Sequence, residues 1–175
     1  KAKNEKELRH FERLLKFVED GGTAVYLDRL KDSVKTESAI TPFTARVHPS
    51  KGLWTCIPHI TGDHPIFKGL QRNGFLRNTY ENIWPQRSLR SLKVNGVKVP
   101  EKPIVASIAF EWFSRGHKMG YQGPGPSWWG ADMTIIPVKK GQYLLSQFQL
   151  LENLGKDPVA DKMIFNIIRF LTPKE

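Results

Sequence analysis

Apolar residues Leu8, Phe11, Leu15 and Val18 recur at three- and four-residue spacing, with Leu14 widening the stripe and Lys6, Glu12, Arg13 and Lys16 on the other side. That period predicts an amphipathic helix over residues 4–19. Gly21-Gly22 supplies a left-handed stop, and the nearly all-apolar run Thr23-Ala24-Val25-Tyr26-Leu27 follows. Such a run is the pattern of a strand buried on both faces in a parallel sheet. Residues 31–62 lose the periodicity and are rich in Thr, Ser and Pro, so they read as irregular connection with one short apolar segment, Leu53 to Ile57.

Asp63-His64-Pro65-Ile66-Phe67-Lys68-Gly69-Leu70 places an acceptor before a proline and a glycine four residues later. It predicts a single helical turn with a structural histidine. Lys93-Val94-Asn95-Gly96-Val97-Lys98-Val99 sets Asn-Gly between alternating apolar positions, a hairpin signal, and Pro103 to Phe110 reads as a further strand. Met119 to Gly130 holds four glycines, two prolines and the pair Trp128-Trp129, which predicts a loop and a candidate contact surface. Residues 134–148 form two strands joined by a turn at Gly141, an antiparallel hairpin expected at the sheet edge. Asp157-Pro158 then caps a closing helix over 158–171, with Val159, Met163, Ile164, Ile167, Phe170 and Leu171 on its apolar face. Helix, buried strands, hairpin and helix together predict one α/β domain over residues 1–175, with a mainly parallel sheet between helices.

At 175 residues the chain can bury a core without metal or disulfide. The single cysteine, Cys56, excludes an intrachain disulfide and any multi-cysteine metal site. No apolar run approaches the length that spans a bilayer, so no membrane partner is expected. The net charge of +10 raises the question of nucleic acid, because Lys68 to Lys102 carries eight Lys or Arg against Glu81 and Glu101. These lack the periodicity of a recognition helix and any basic-aromatic RNA signature. Solubility, or docking on an acidic neighbour, is the plainer reading, with no nucleic-acid partner.

The chemistry-bearing residues do not assemble into a site on spacing alone. His48, His59, His64 and His117 form no His-x-x-x-His pair, so no metal or other cofactor is expected. Asp63, Glu111 and Asp132 could act as paired carboxylates for glycoside hydrolysis, but nothing in the sequence brings two of them across one bond. Trp128 and Trp129, with Trp112 and Tyr121 nearby in sequence, could stack on sugar rings or on a protein partner, or could simply pack beneath the glycine-rich loop.

The phrases Phe17-Val18-Glu19-Asp20-Gly21-Gly22-Thr23, His64 to Leu70, Gly141 to Gln147, Leu154 to Ala160 and Asn166 carry a resemblance. They are similar to class I glutamine amidotransferase-like domains of the kind appended to glycoside hydrolases, including family 2 members and the trimerisation domain of some β-galactosidases. The resemblance implies a flavodoxin-like three-layer sandwich that lacks its first strand here, within a piece of a larger protein that is periplasmic or secreted. Active amidotransferases carry Gly-x-Cys-x-Gly and a late His and Glu. Cys56 instead lies in Trp54-Thr55-Cys56-Ile57-Pro58, and no histidine follows His117. The resemblance therefore implies a domain without that catalytic triad.

Three classes of function stay open. A non-catalytic accessory domain would contact other domains of its chain or a second copy, a carbohydrate-binding module would present aromatics to an oligosaccharide, and a hydrolase would join Cys56 or an acidic pair to a histidine.

Overall fold

The computed structural model describes residues 5–27, 43–49, 55–56, 59–72, 74–94, 97–98, 102–111 and 127–172. Helix α1 (Glu5–Glu19) ends in a Schellman motif. Gly22 N–H donates to Phe17 O at 2.9 Å and Gly21 N–H to Val18 O at 3.0 Å, with Gly21 at φ 120°. Strand β1 (Thr23–Tyr26) follows, then β2 (Phe43–Pro49), β3 (Thr55–Cys56) and β4 (His59–Thr61). Two 3-10 turns, Pro65–Phe67 and Asn78–Tyr80, lead to β5 (Arg87–Val94), β6 (Val97–Lys98), β7 (Lys102–Glu111), β8 (Ser127–Val138) and β9 (Gly141–Ser146). The short helix α2 (Leu150–Asn153) and α3 (Pro158–Leu171) close the chain.

All nine strands belong to one sheet, with the path β1-β9-β8-β5-β2. Strand β7 lies along β8, β3 and β4 lie along β7, and β6 pairs with β5. The pair β1–β9 is parallel, and the other named pairs are antiparallel. This overturns the expectation of a mainly parallel, flavodoxin-like sandwich: the sheet is mixed, mainly antiparallel, and β-strands dominate the fold. The run Thr23 to Leu27, which suggested a parallel sheet, does pair in parallel with β9, but that is the one parallel pair among the described strands. Along β9, Leu144 enters the core beneath α3, whereas Tyr143 and Leu145 enter the core beneath α1. A strand covered on both sides is apolar whichever way its neighbours run.

Several local expectations also change. The hairpin of β8 and β9 forms, but β1 pairs outside β9, so the hairpin is internal and β1 is the edge among the described strands. Strand β1 accordingly leaves Val25 37% exposed and is not buried on both faces. The hairpin turn falls at Lys139-Lys140, with Lys139 at φ 50°. Gly141 is needed for closeness, because a Cβ there would overlap the carbonyl oxygens of Val18 and Gly22. Ser127 to Gly130, expected to be loop, is the first part of β8 and pairs with Ser107 to Phe110 of β7. Paired strands suit aromatic residues, and Gly130 admits Ser88 and Leu89 of β5 at a distance that a Cβ would obstruct. The Asn-Gly hairpin is borne out in its strands by the pairs Val94↔Val97 and Lys93↔Lys98.

Asp157 caps α3 as expected, accepting from Val159 N–H at 2.7 Å and Ala160 N–H at 3.4 Å. Ala160, Met163 and Ile167 of α3 pack with Ile104, Val105, Met133 and Leu144 of the sheet. On the opposite face Val18 and Leu14 of α1 pack with Leu89, Ala131, Ile136 and Tyr143. No helix among the described residues is long and apolar enough to cross a membrane.

Candidate functional site

Strands β4, β7, β8 and β5 lie side by side, and each contributes one polar residue to a buried cluster. His59 of β4 stands opposite Ser107 of β7, and Asp132 of β8 and Ser88 of β5 complete the row. His59 Nδ1 lies 2.8 Å from Asp132 Oδ2. Ser107 Oγ donates to the same carboxylate oxygen at 2.6 Å and lies 3.0 Å from His59 Nδ1. Ser88 Oγ donates to Asp132 Oδ1 at 2.5 Å. Ser88, Ser107 and Asp132 have no solvent-accessible surface, His59 keeps 7%, and the Trp84 ring faces the imidazole at 5.9 Å.

Serine, histidine and aspartate together suggest nucleophilic catalysis, yet the wiring does not suit it. A catalytic histidine takes the serine proton on one ring nitrogen while the carboxylate holds the other. Here Ser107 and Asp132 both meet Nδ1, and the serine hydroxyl is already donated to the carboxylate. No substrate carbonyl can reach an oxygen with no exposure. The cluster is a satisfied polar core, in which one carboxylate accepts from two hydroxyls and sits against an imidazole.

A second group of residues surrounds open space. His64 caps the Pro65–Phe67 turn, and its Nδ1 accepts from Ile66 N–H at 3.4 Å. Buried Asn166 of α3 donates through Nδ2 to both Ile66 O and Lys68 O at 2.9 Å, fastening that turn to the helix. The His64 ring meets Phe170 edge-on at 4.7 Å. Burial lowers the pKa of His64, with the nearby Asp63 carboxylate acting in the opposite sense. Between the turn and the end of α3 lies a cleft of 1130 Å³ bordered by Asp63, His64, Lys68, Arg72, Arg169 and Phe170. A smaller space of 400 Å³ shares Asp63 and His64 and is otherwise lined by Gly62, Pro103, Ile104, Ile135 and Pro137.

Of the residues singled out in the sequence, Asp132 joins His59 in the core and Asp63 pairs with Arg72 at the cleft. Asp63 and Asp132 thus have separate partners. The backbone of Glu111 ends β7 and that of Cys56 pairs with Phe110, but their side chains lie outside the described residues. Trp129 is 47% exposed on β8. The backbone of Trp128 precedes it in the strand, its side chain lies outside the described residues, and so do Trp112 and Tyr121 altogether. No group of three or more His, Cys, Asp or Glu among the described residues could hold a metal ion. The sequence reading missed Ser88, Ser107, Arg169 and Phe170, whose roles depend on strand pairing and helix docking.

No protein-family model and no curated protein matches the chain. Among solved structures it is similar to a β-galactosidase from Rahnella sp. R3, with 12% identity and a TM-score of 0.41 over 92% of this chain. The matched region is 20% of that enzyme, so the chain spans about one-fifth of its length. A likeness this distant carries no argument about activity.

Proposed function

We propose that this chain is a non-catalytic accessory domain of a larger carbohydrate-active protein, contributing packing and contact surfaces and not a reaction. The observation that carries this reading is the wiring at His59. The described residues bring serine, histidine and aspartate together once, with the serine and the carboxylate on one ring nitrogen and sealed from solvent. A contact role is further supported by Phe165 and Ile168, three residues apart on α3 and 53% and 60% exposed. The carbohydrate context rests on the sequence resemblance of the turn and cap phrases to segments of glycoside hydrolases.

The test has two parts. The chain alone should show no turnover of aryl glycosides or aryl esters and no adduct with a fluorophosphonate. In the full parent protein, Phe165→Ser with Ile168→Ser should weaken assembly or thermal stability while the melting of this chain alone stays close to wild type. Turnover that disappears in a folded Ser107→Ala variant would overturn the reading. Exposed Trp129 supports a second reading, in which the domain binds glycan by ring stacking. Loss of oligosaccharide binding in Trp129→Ala at an unchanged melting temperature would favour it.

A further inference from the structure

We infer that the cleft between the His64–Gly69 turn and the end of α3 binds a small organic anion, a carboxylate or phosphate monoester carried on a body with an apolar face. This goes beyond the accessory reading and does not depend on it. Asn166 bonds two carbonyls of the turn from a buried position, and Phe170, one helical turn further along, meets the His64 ring. Asn166, Arg169 and Phe170 are spaced so that they share one helix face, which sets a cation and an aromatic ring beside the fastening point. The cleft is therefore preformed, as small-molecule sites generally are, and its volume suits such a ligand.

Charge narrows the ligand class. Arg72 is paired with Asp63 and also donates to Gly62 O at 3.3 Å. Lys68 and Arg169 have no carboxylate partner among the described residues, so the lining carries two uncompensated cations. His64 adds a neutral donor. Its Nδ1 accepts the Ile66 amide, so the ring proton resides on Nε2, and burial disfavours a second proton. Pro65, Leu70, Phe170 and Leu171 supply apolar lining, and the smaller neighbouring space continues it past Ile104 and Ile135. A lining that holds cations together with apolar surface fits an anion with a nonpolar face, and neither a neutral polar molecule nor a cation matches both.

The test uses the whole chain and four probes: glucuronate, glucose 6-phosphate, benzoate and, as the uncharged control, glucose. Amide chemical shifts are followed during titration at millimolar concentrations. At least one anion should give saturable shifts confined to residues near 64–72 and 166–172, and glucose should bind roughly ten-fold more weakly or not at all. Lys68→Gln with Arg169→Gln should weaken the anion roughly ten-fold at an unchanged melting temperature, since both side chains are exposed. The inference is overturned if no anion gives a saturable response, if the double variant binds as wild type does, or if inorganic phosphate alone binds as well as the best probe.

Discussion

His59 and Asp132 lie 73 residues apart in the chain, yet Nδ1 of one sits 2.8 Å from Oδ2 of the other with Ser107 touching both. Asp132→Ala would leave two hydroxyls and an imidazole buried without their shared acceptor. Each such loss costs about 1–3 kcal/mol, so a combined destabilisation of roughly 3 kcal/mol or more is expected. Urea unfolding followed by tryptophan fluorescence measures it. A variant within 0.5 kcal/mol of wild type, roughly the scatter of neutral surface changes, would show that the cluster does not stabilise the sheet.

Asp157 carries a second, pH-dependent contribution. Burial alone would raise its pKa, but hydrogen bonds from Asn82 Nδ2 and from the Val159 and Ala160 amides outweigh this and hold the carboxyl below its ordinary value of 3.8. A depressed acid contributes stability that is complete above the unfolded value and is lost as pH falls through the folded one. Asp157→Ala should cost about 1 kcal/mol at neutral pH, as loss of a helix cap does. Asp157→Asn keeps a capping oxygen, so it should cost less at neutral pH and show a shallower decline below about pH 4.

His64 has the opposite sign of linkage from a histidine that gains a carboxylate partner. Its folded pKa lies below the unfolded 6.5, mainly because burial opposes the charged ring. The unfolded chain therefore binds the proton first, and stability declines as pH falls through 6.5 toward the folded value, then levels off. His64→Asn retains an acceptor for the Ile66 amide and removes the titration. The stability difference between about pH 7.5 and pH 5.5 should be smaller in the variant, and an identical profile would remove His64 from the linkage.

Gly141→Ala should destabilise the chain toward the upper end of the roughly 1–3 kcal/mol typical of overpacking. The added methyl meets backbone oxygens of Val18 and Gly22, and these cannot rotate away. Gly155→Ala is the comparison, since Gly155 has φ 72° but open space around its Cβ position. Its cost should be backbone strain alone, of about 1 kcal/mol. Thermal melts of the two variants separate crowding from strain.

Features governed by a few neighbouring residues were legible in the sequence. The Gly21-Gly22 stop, the His64-Pro65 turn, the strands flanking Asn95-Gly96 and the Asp157-Pro158 cap each depend on short-range sterics and hydrogen bonding. The directions of β1 and of the two hairpins were legible, but the antiparallel course of the rest of the sheet was not, because it rests on pairings between strands distant in sequence. Trp128-Trp129 read as loop because the glycines and prolines before them dominated the window, whereas pairing with Ile108 and Ala109 decides their backbone. The His59 cluster had no local signature at all, since its four members come from four strands. The cleft was half visible: the turn was read, but the cation and ring facing it come from a helix about 100 residues later.

Thr23 pairs with Gln142, 119 positions further along the chain, and this one parallel contact sets the order in which the chain can be built. Most of the sheet closes through shorter loops, such as the two-residue connection between β8 and β9. Distant pairings slow folding because their loop must close before the contact repays it. During synthesis β1 leaves the ribosome well before β9, its one partner among the described strands. Over that interval β1, behind the amphipathic helix α1, is an apolar strand awaiting its parallel template.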